Sequence, residues 1–241
     1  MPKKSSPLIK KLEKVPPIEF VSSGVPEIDE LTGGYPRARV TQVYGLSSVG
    51  KTSLMVKCMA EVSKKEKILY IDVENAINVD RFIAQGADPK KIDYTSASVL
   101  EDVCELIRDN IGKYDMIVLD SVAMLVPRAE HEGETGEQFV GLKPRLLGQW
   151  LRQIEGDLAN TKCALILINQ MRRSMEMYGE KYVLPGGMQL KFSSSLMLQL
   201  VSNSVDKIVK ERIQVGHWVH AKVTKSKVST PFVETKFKIT Y

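Results

Sequence analysis

Long apolar runs are missing from this 241-residue sequence, so no segment approaches the roughly 20 apolar residues needed to cross a bilayer. The opening "MPKKSSPLIKKLEKVPP" is basic and lacks the apolar stretch of a secretion signal, and a cytoplasmic protein with no membrane partner is expected. Cysteine is scarce. Cys58, Cys104 and Cys163 stand alone among apolar residues, without a Cys-x-x-Cys pair or a nearby histidine, which excludes a disulfide framework and a zinc site and leaves three small core hydrophobes. Charge of one sign is weak too: a net +5 permits a polyanionic partner without indicating one. With 43% hydrophobic and 26% charged residues, the composition is that of a soluble chain burying one large core.

What is present is a rhythm. The runs "VTQVY" (40–44), "ILYIDV" (68–73), "MIVLD" (116–120) and "ALILIN" (164–169) are continuously apolar, as in strands buried on both faces of a parallel sheet. Helix-period segments at 53–63, 99–110 and 141–159 alternate with them and predict a doubly wound α/β domain. After Lys191 the segments "SSLMLQLV", "HWVHAKVTKSK" and "FVETKFKITY" follow without helices. Antiparallel strands appended to the parallel sheet are expected there, the last with Val233, Thr235, Phe237, Ile239 and Tyr241 on one face.

The strongest chemical signal is "GLSSVGKT", Gly45 to Thr52, which fits G-x-x-x-x-G-K-[ST] between a strand and a helix. Gly45 and Gly50 free the backbone to turn its amides, with those of Leu46, Ser47, Ser48 and Val49, toward phosphate oxygens. Lys51 supplies a cation to the terminal phosphates, the Thr52 hydroxyl is placed to ligate Mg2+, and Ser53 continues the cradle into the helix. Asp120 ends an apolar strand at the carboxyl edge of the sheet, where a ligand crevice opens, and is the second candidate for magnesium, directly or through water. Glu74 ends another such strand and is suited to orient or deprotonate an attacking water. Asp72 lies on the same strand face and competes with it. A helix N-cap or a solvated loop charge is the plain alternative for either acid.

Near the end of the sequence, "TKSKVSTPF" puts Lys225 and Lys227 on the same side of an extended backbone. Lysines there protect an exposed sheet edge from pairing, unless they have a target.

These residues carry a resemblance to the bacterial RecA recombinases, covering roughly Phe20 to Tyr241. It rests on "SSGVPEIDELTGGYPRARVTQVYG", "GLSSVGKT", "YIDVENA", "IVLDSVAMLVPRAEHEGETGEQFVGL", "LINQMR", "PGGMQLKF" and "KSKVSTPF". The resemblance implies a RecA-type ATPase core over residues 18–241, preceded by a short basic segment, 1–17, that tethers neighbouring subunits or frays. It implies subunits assembled head to tail as a helical filament on single-stranded DNA, with ATP at the interface, pairing and exchanging strands with homologous duplex DNA. Lys225 and Lys227 then resemble cations reaching the neighbour's ATP, with edge protection as the alternative. Glu74 becomes the water-activating carboxylate and Gln170 the γ-phosphate sensor opening an irregular stretch to Gly187.

That stretch resembles the family's second DNA-binding loop, one residue shorter. Arg172, Arg173, Met175, Gly186 and Gly187 are its DNA-binding candidates, with Met171, Met177 and Tyr178 either against bases or in a loop core. The first family loop, "AEHEGETGEQFVG", is acidic, and Gly133, Gly136 and Gly141 suggest a mobile gate there. Arg145 and Arg152 follow on one helix face and match DNA-backbone positions, or form a solvated basic face. The sequence departs from the family in placing Arg81 where an aromatic stacks on adenine. No counterpart of the family's C-terminal domain is seen, and Leu8, Ile9, Leu12 and Val15 are expected to form one amphipathic helix in place of its N-terminal module. Three functions are compatible with these residues: a DNA-dependent recombinase ATPase, a mediator or annealing ATPase without strand exchange, and a signalling ATPase or kinase indifferent to DNA.

Overall fold

A computed structural model describes residues 13, 15–134, 136–174, 182–203 and 206–240. The expected amphipathic helix lies outside the described residues except for Val15, which is exposed.

Among the described residues, nine strands form one mixed sheet. A two-strand ladder, β1 (Phe20–Val21) with β2 (Tyr35–Pro36), brackets helix α1 (Pro26–Thr32). The chain then enters β3 (Arg39–Gly45), α2 (Lys51–Val62), β4 (Ile68–Asp72) and α3 (Val79–Ala84). There follow β5 (Ile92–Thr95), α4 (Leu100–Asn110), β6 (Met116–Asp120), α5 (Arg128–Glu132), α6 (Leu142–Leu158) and β7 (Ala164–Gln170). β3, β7, β6, β4 and β5 lie side by side and parallel in that order. Up to β7 the predicted strands and helices are present with ends within two residues of those expected.

Alternation within each buried strand explains the two cores. In β4, β6 and β7 the residues Ile68, Tyr70, Met116, Val118, Ile166 and Ile168 face a cluster with α2. The intervening Leu69, Ile71, Ile117, Leu119, Leu165 and Leu167 face α4 and α6. Helix α6 presents Leu147, Trp150, Leu151, Ile154 and Leu158 to that second cluster at helical spacing. Each such side chain contributes about 1.5–3 kcal/mol by leaving water.

The carboxyl-terminal part departs from expectation in one respect. A short ladder, β8 (Arg172–Arg173) with β9 (Tyr182–Val183), and helix α7 (Gly187–Ser193) precede β10 (Ser194–Val201). β10 runs parallel to β3 and joins the central sheet, rather than being an antiparallel addition. The antiparallel part begins with β12 (Ile213–Ser226), whose one edge pairs with β10 and then with β11 (Lys207–Lys210), while β13 (Glu234–Thr240) takes the other. The physical reason is the chain return through α7, a crossover that a parallel pairing requires and a hairpin does not. On β13, Phe237 and Ile239 are buried and Val233 packs beside them, as the alternation predicted. Tyr241 lies outside the described residues. All three cysteines are buried and free. Among the described residues no helix is long and apolar enough to cross a membrane.

Candidate functional site

The strands β3, β7, β6 and β4 are neighbours in the sheet, and each leads at its carboxyl end to candidate site residues. The turn 46–50 leaves β3 and closes at Gly50, whose φ of 104° caps α2 in the left-handed region, where a side chain would be strained. The fold gives Gly45 a reason of its own to lack a side chain. Its φ is not left-handed; instead a Cβ there would lie 2.4 Å from the Leu200 carbonyl oxygen of β10. Gly45→Ala is therefore expected to cost about 1–3 kcal/mol, read as a lower midpoint in thermal unfolding. An unchanged midpoint would refute this close approach.

Lys51 is buried, with Nζ donating to the Leu46 carbonyl at 2.8 Å. Burial pulls its ammonium below the ordinary lysine value, opposed by the negative charges of Asp120 and Glu74. Thr52 Oγ1 donates to Asp120 Oδ2 at 2.7 Å, and Tyr70 donates to the same oxygen at 3.2 Å. Burial raises the Asp120 carboxyl to about 6, against the lowering effect of the Thr52 hydrogen bond. A hydroxyl and a carboxylate brought together are hard oxygen donors of the kind Mg2+ takes alongside waters and phosphate oxygens. Arg81 donates to Ser53 Oγ in the first turn of α2 at 2.5 Å, so its guanidinium lies beside the end of the glycine-bounded loop 45–52.

The two competing acids are separated by their partners. Asp72 is fully buried and accepts from the backbone amides of Glu74 and Ile77, at 3.1 and 2.9 Å, holding the turn after β4. Glu74 instead accepts at Oε1 from Gln170 Nε2 at 2.6 Å and from Ser121 Oγ at 2.7 Å. Side chains from β7, from the turn after β4 and from the residue after β6 thus meet on one carboxylate.

The stretch expected to be irregular after Gln170 contains a short ladder, in which Arg172 and Arg173 pair with Val183 and Tyr182. Met175, Met177 and Tyr178 lie outside the described residues. Gly186 and Gly187 open α7 and pack against Leu147 and Pro144 of α6. Arg145 and Arg152 are both exposed on α6. Arg152 reaches back beside Gly148, where α6 meets Gln189 of α7. In the acidic loop Gly133 is wedged against Glu137, Phe139 and the Ala129 carbonyl, so a hinge at that position is not supported.

Lys225 and Lys227 do project to the same side, and both ammonium groups donate to the Phe192 carbonyl at 3.0 Å. Lys225 also donates to the Lys191 carbonyl at 2.5 Å. They occupy the C-terminal end of α7, where a helix offers unpaired carbonyls and a negative dipole end. Burial, then Lys227 and Lys191, lower the Lys225 ammonium. The hydrogen bonds of both lysines go to the end of α7 and none to the loop 45–52 of the same chain.

Comparison with known proteins decides the family. The model of the RecA N-terminal domain matches residues 4–241. The chain belongs to the RecA family. It is 37% identical over 230 residues to Protein RecA of Clostridium acetobutylicum, covering 93% of this chain and 65% of that relative. It is 38% identical to Protein RecA of Lactobacillus delbrueckii subsp. bulgaricus, over 93% of this chain and 69% of the relative. Protein RecA of Gloeobacter violaceus is 38% identical over 237 residues, with 93% and 62% covered. The chain thus spans about two thirds of these RecA proteins' lengths.

Within this RecA-family core, four neighbours of the site escape the sequence reading. Tyr70 reads as one more apolar residue of a buried strand. Ser121 is a short polar residue with no spacing signature, although its place directly after Asp120 could have marked it. His217 lies buried in β12 with Nε2 3.4 Å from the Val49 carbonyl, and nothing local signals that approach. Lys143 looks like an ordinary helix-start lysine until its contacts are seen.

Proposed function

We propose that this RecA-family chain is an ATP-dependent recombinase, acting in the cytoplasm, that assembles head to tail on single-stranded DNA and pairs it with homologous duplex DNA. One observation carries the reading: Gln170, at the start of the stretch to Gly187 that resembles the second DNA-binding loop, donates directly to Glu74, the acid suited to water activation. A ligand that moves Gln170 must alter the surroundings of Glu74, and the converse holds, so nucleotide state and DNA affinity are thermodynamically linked. In this reading the loop 45–52 holds the ATP phosphates, and Thr52 and Asp120 hold Mg2+, which would neutralise charge on the phosphoryl oxygens. Lys51 stabilises the transferred phosphoryl from its own subunit, and Lys225 and Lys227 do so from the next. Glu74 takes the proton of the attacking water. Arg145, Arg152, Arg172 and Arg173 offer cations to DNA phosphates, and Gly186 and Gly187 a close backbone approach.

The test is steady-state ATP hydrolysis with and without unstructured single-stranded DNA, over protein concentration and salt. Stimulation that rises cooperatively with protein and falls with salt is expected. Hydrolysis indifferent to both would instead favour a signalling ATPase complete within one subunit. Stimulation without strand exchange would favour an annealing or mediator ATPase.

A further inference from the structure

Between the nucleotide crevice and the basic segments, two cations share a single oxygen. Lys143 Nζ, from the first turn of α6, donates to the Ala123 carbonyl at 2.8 Å. Arg172 Nη2, from β8, donates to the same carbonyl at 3.3 Å. A carbonyl oxygen has two lone pairs, and both are engaged. The ammonium and the guanidinium, which are donors only, retain further N–H groups to satisfy.

The electrostatics are unfavourable as they stand. The half-buried Lys143 is held beside the exposed Arg172, and burial followed by the Arg172 charge lowers the Lys143 ammonium to about 8. The first turn of α6 contains no acidic residue, so Lys143 also faces the positive end of that helix. The charged groups acting on Lys143 are Arg172 from β8 and Glu130 from α5, and only Glu130 opposes the strain. Such violations of local preference, only partly offset by Glu130 and the Ala123 carbonyl, suit a site for a ligand of opposite charge.

The missing partner should be an anion with several acceptor oxygens. The surroundings favour a chain of them over a lone ion. Gly187, at the end of the second basic segment, packs on Pro144, the residue after Lys143. Arg172 and Arg173 are both exposed, one after the other on β8.

We propose that Lys143 and Arg172 together seat one backbone phosphate of single-stranded DNA above the Ala123 carbonyl, making Lys143 a contact of the nucleic-acid interface. This rests on the DNA-binding reading given above, and adds to it a residue that no motif assigns.

The experiment is fluorescence anisotropy of a labelled single-stranded oligonucleotide across a salt series, with ATP and magnesium present. It compares the unaltered chain with Lys143→Gln and Lys143→Arg. One lost phosphate contact reduces the slope of log affinity against log salt by about 0.7 for a single strand, roughly a fivefold loss of affinity near 0.1 M salt. Lys143→Gln should show that loss, and Lys143→Arg should keep the original slope. Affinity of the unaltered chain should also fall as pH rises through about 8, where free Lys143 sheds its proton. The glutamine variant should lack that dependence.

An unchanged slope in Lys143→Gln, with the unaltered chain binding DNA normally, overturns the Lys143 assignment and leaves the DNA-binding reading standing. Failure of the unaltered chain to bind any oligonucleotide overturns both. Inorganic phosphate at matched ionic strength distinguishes a free-anion pocket: protection of the unaltered chain alone against thermal unfolding, without a slope change on DNA, rejects the DNA assignment. Should the glutamine variant melt early, Arg172→Gln on the same salt series must show the same slope loss, or the shared seat is wrong.

Discussion

Replacing Glu74 by glutamine is expected to lower ATP turnover on single-stranded DNA by about 10²–10⁴-fold, the usual contribution of a positioned general base. The substitution retains the oxygen that accepts from Gln170 and Ser121, and removes the capacity to take a proton. Nucleotide affinity should change little, because Lys51, Thr52 and the loop amides are untouched. Turnover assays paired with direct binding of a fluorescent ATP analogue separate the two effects. Asp72→Asn provides the contrast. Its carboxylate is committed to the amides of Glu74 and Ile77, so the expected outcome is a lower unfolding temperature. Full activity in Glu74→Gln would transfer the role of base to another group and remove the central assignment.

The Lys225→Ala, Lys227→Ala double variant should lose about 10³-fold or more of DNA-stimulated turnover, as removal of a cation supplied in trans does, while dilute subunits bind nucleotide as before. The geometry motivates the size and the sign. Both ammonium groups lie on the C-terminal carbonyls of α7, away from their own phosphate loop, so a single subunit cannot bring them to its own ATP without rearrangement. Mixing gives a sharper test. Glu74→Gln subunits supply intact lysines and the double variant supplies an intact acid, so a mixture should recover part of the activity that each lacks alone. Absence of recovery, or weakened nucleotide binding by the dilute double variant, would return the lysines to edge protection.

Much of this was legible because buried parallel strands advertise themselves. "MIVLD" and "ALILIN" are apolar on both faces since helices cover both, and their carboxyl ends mark where a ligand crevice must open. The loop 45–52 was legible as a strand-to-helix connection through its spacing and through the strand and helix that flank it. Long-range pairing was not. "SSLMLQLV" does not reveal whether its partner is β3 or β12, because periodicity describes faces and is silent about neighbours. That Asp72 accepts from the backbone amides of Glu74 and Ile77 was likewise hidden, being a matter of three-dimensional turn geometry. Lys143 was hidden for a related reason. Its meaning comes from Arg172, which the fold alone brings to the same carbonyl.

The chain between β6 and α5 is short and doubly engaged. Asp120 accepts from Thr52, Ser121 donates to Glu74, and the Ala123 carbonyl receives Lys143 and Arg172. Under the proposed function, the fuel end and the track end of this motor are separated by a few peptide bonds of one continuous ribbon, with no hinge domain or long lever between them. A stroke transmitted over that span has little slack to absorb. Suppressors of a defect at either end are therefore expected to accumulate in residues 121–124, and hybrids that join the nucleotide half of one relative to the DNA half of another should work only when this ribbon is inherited whole.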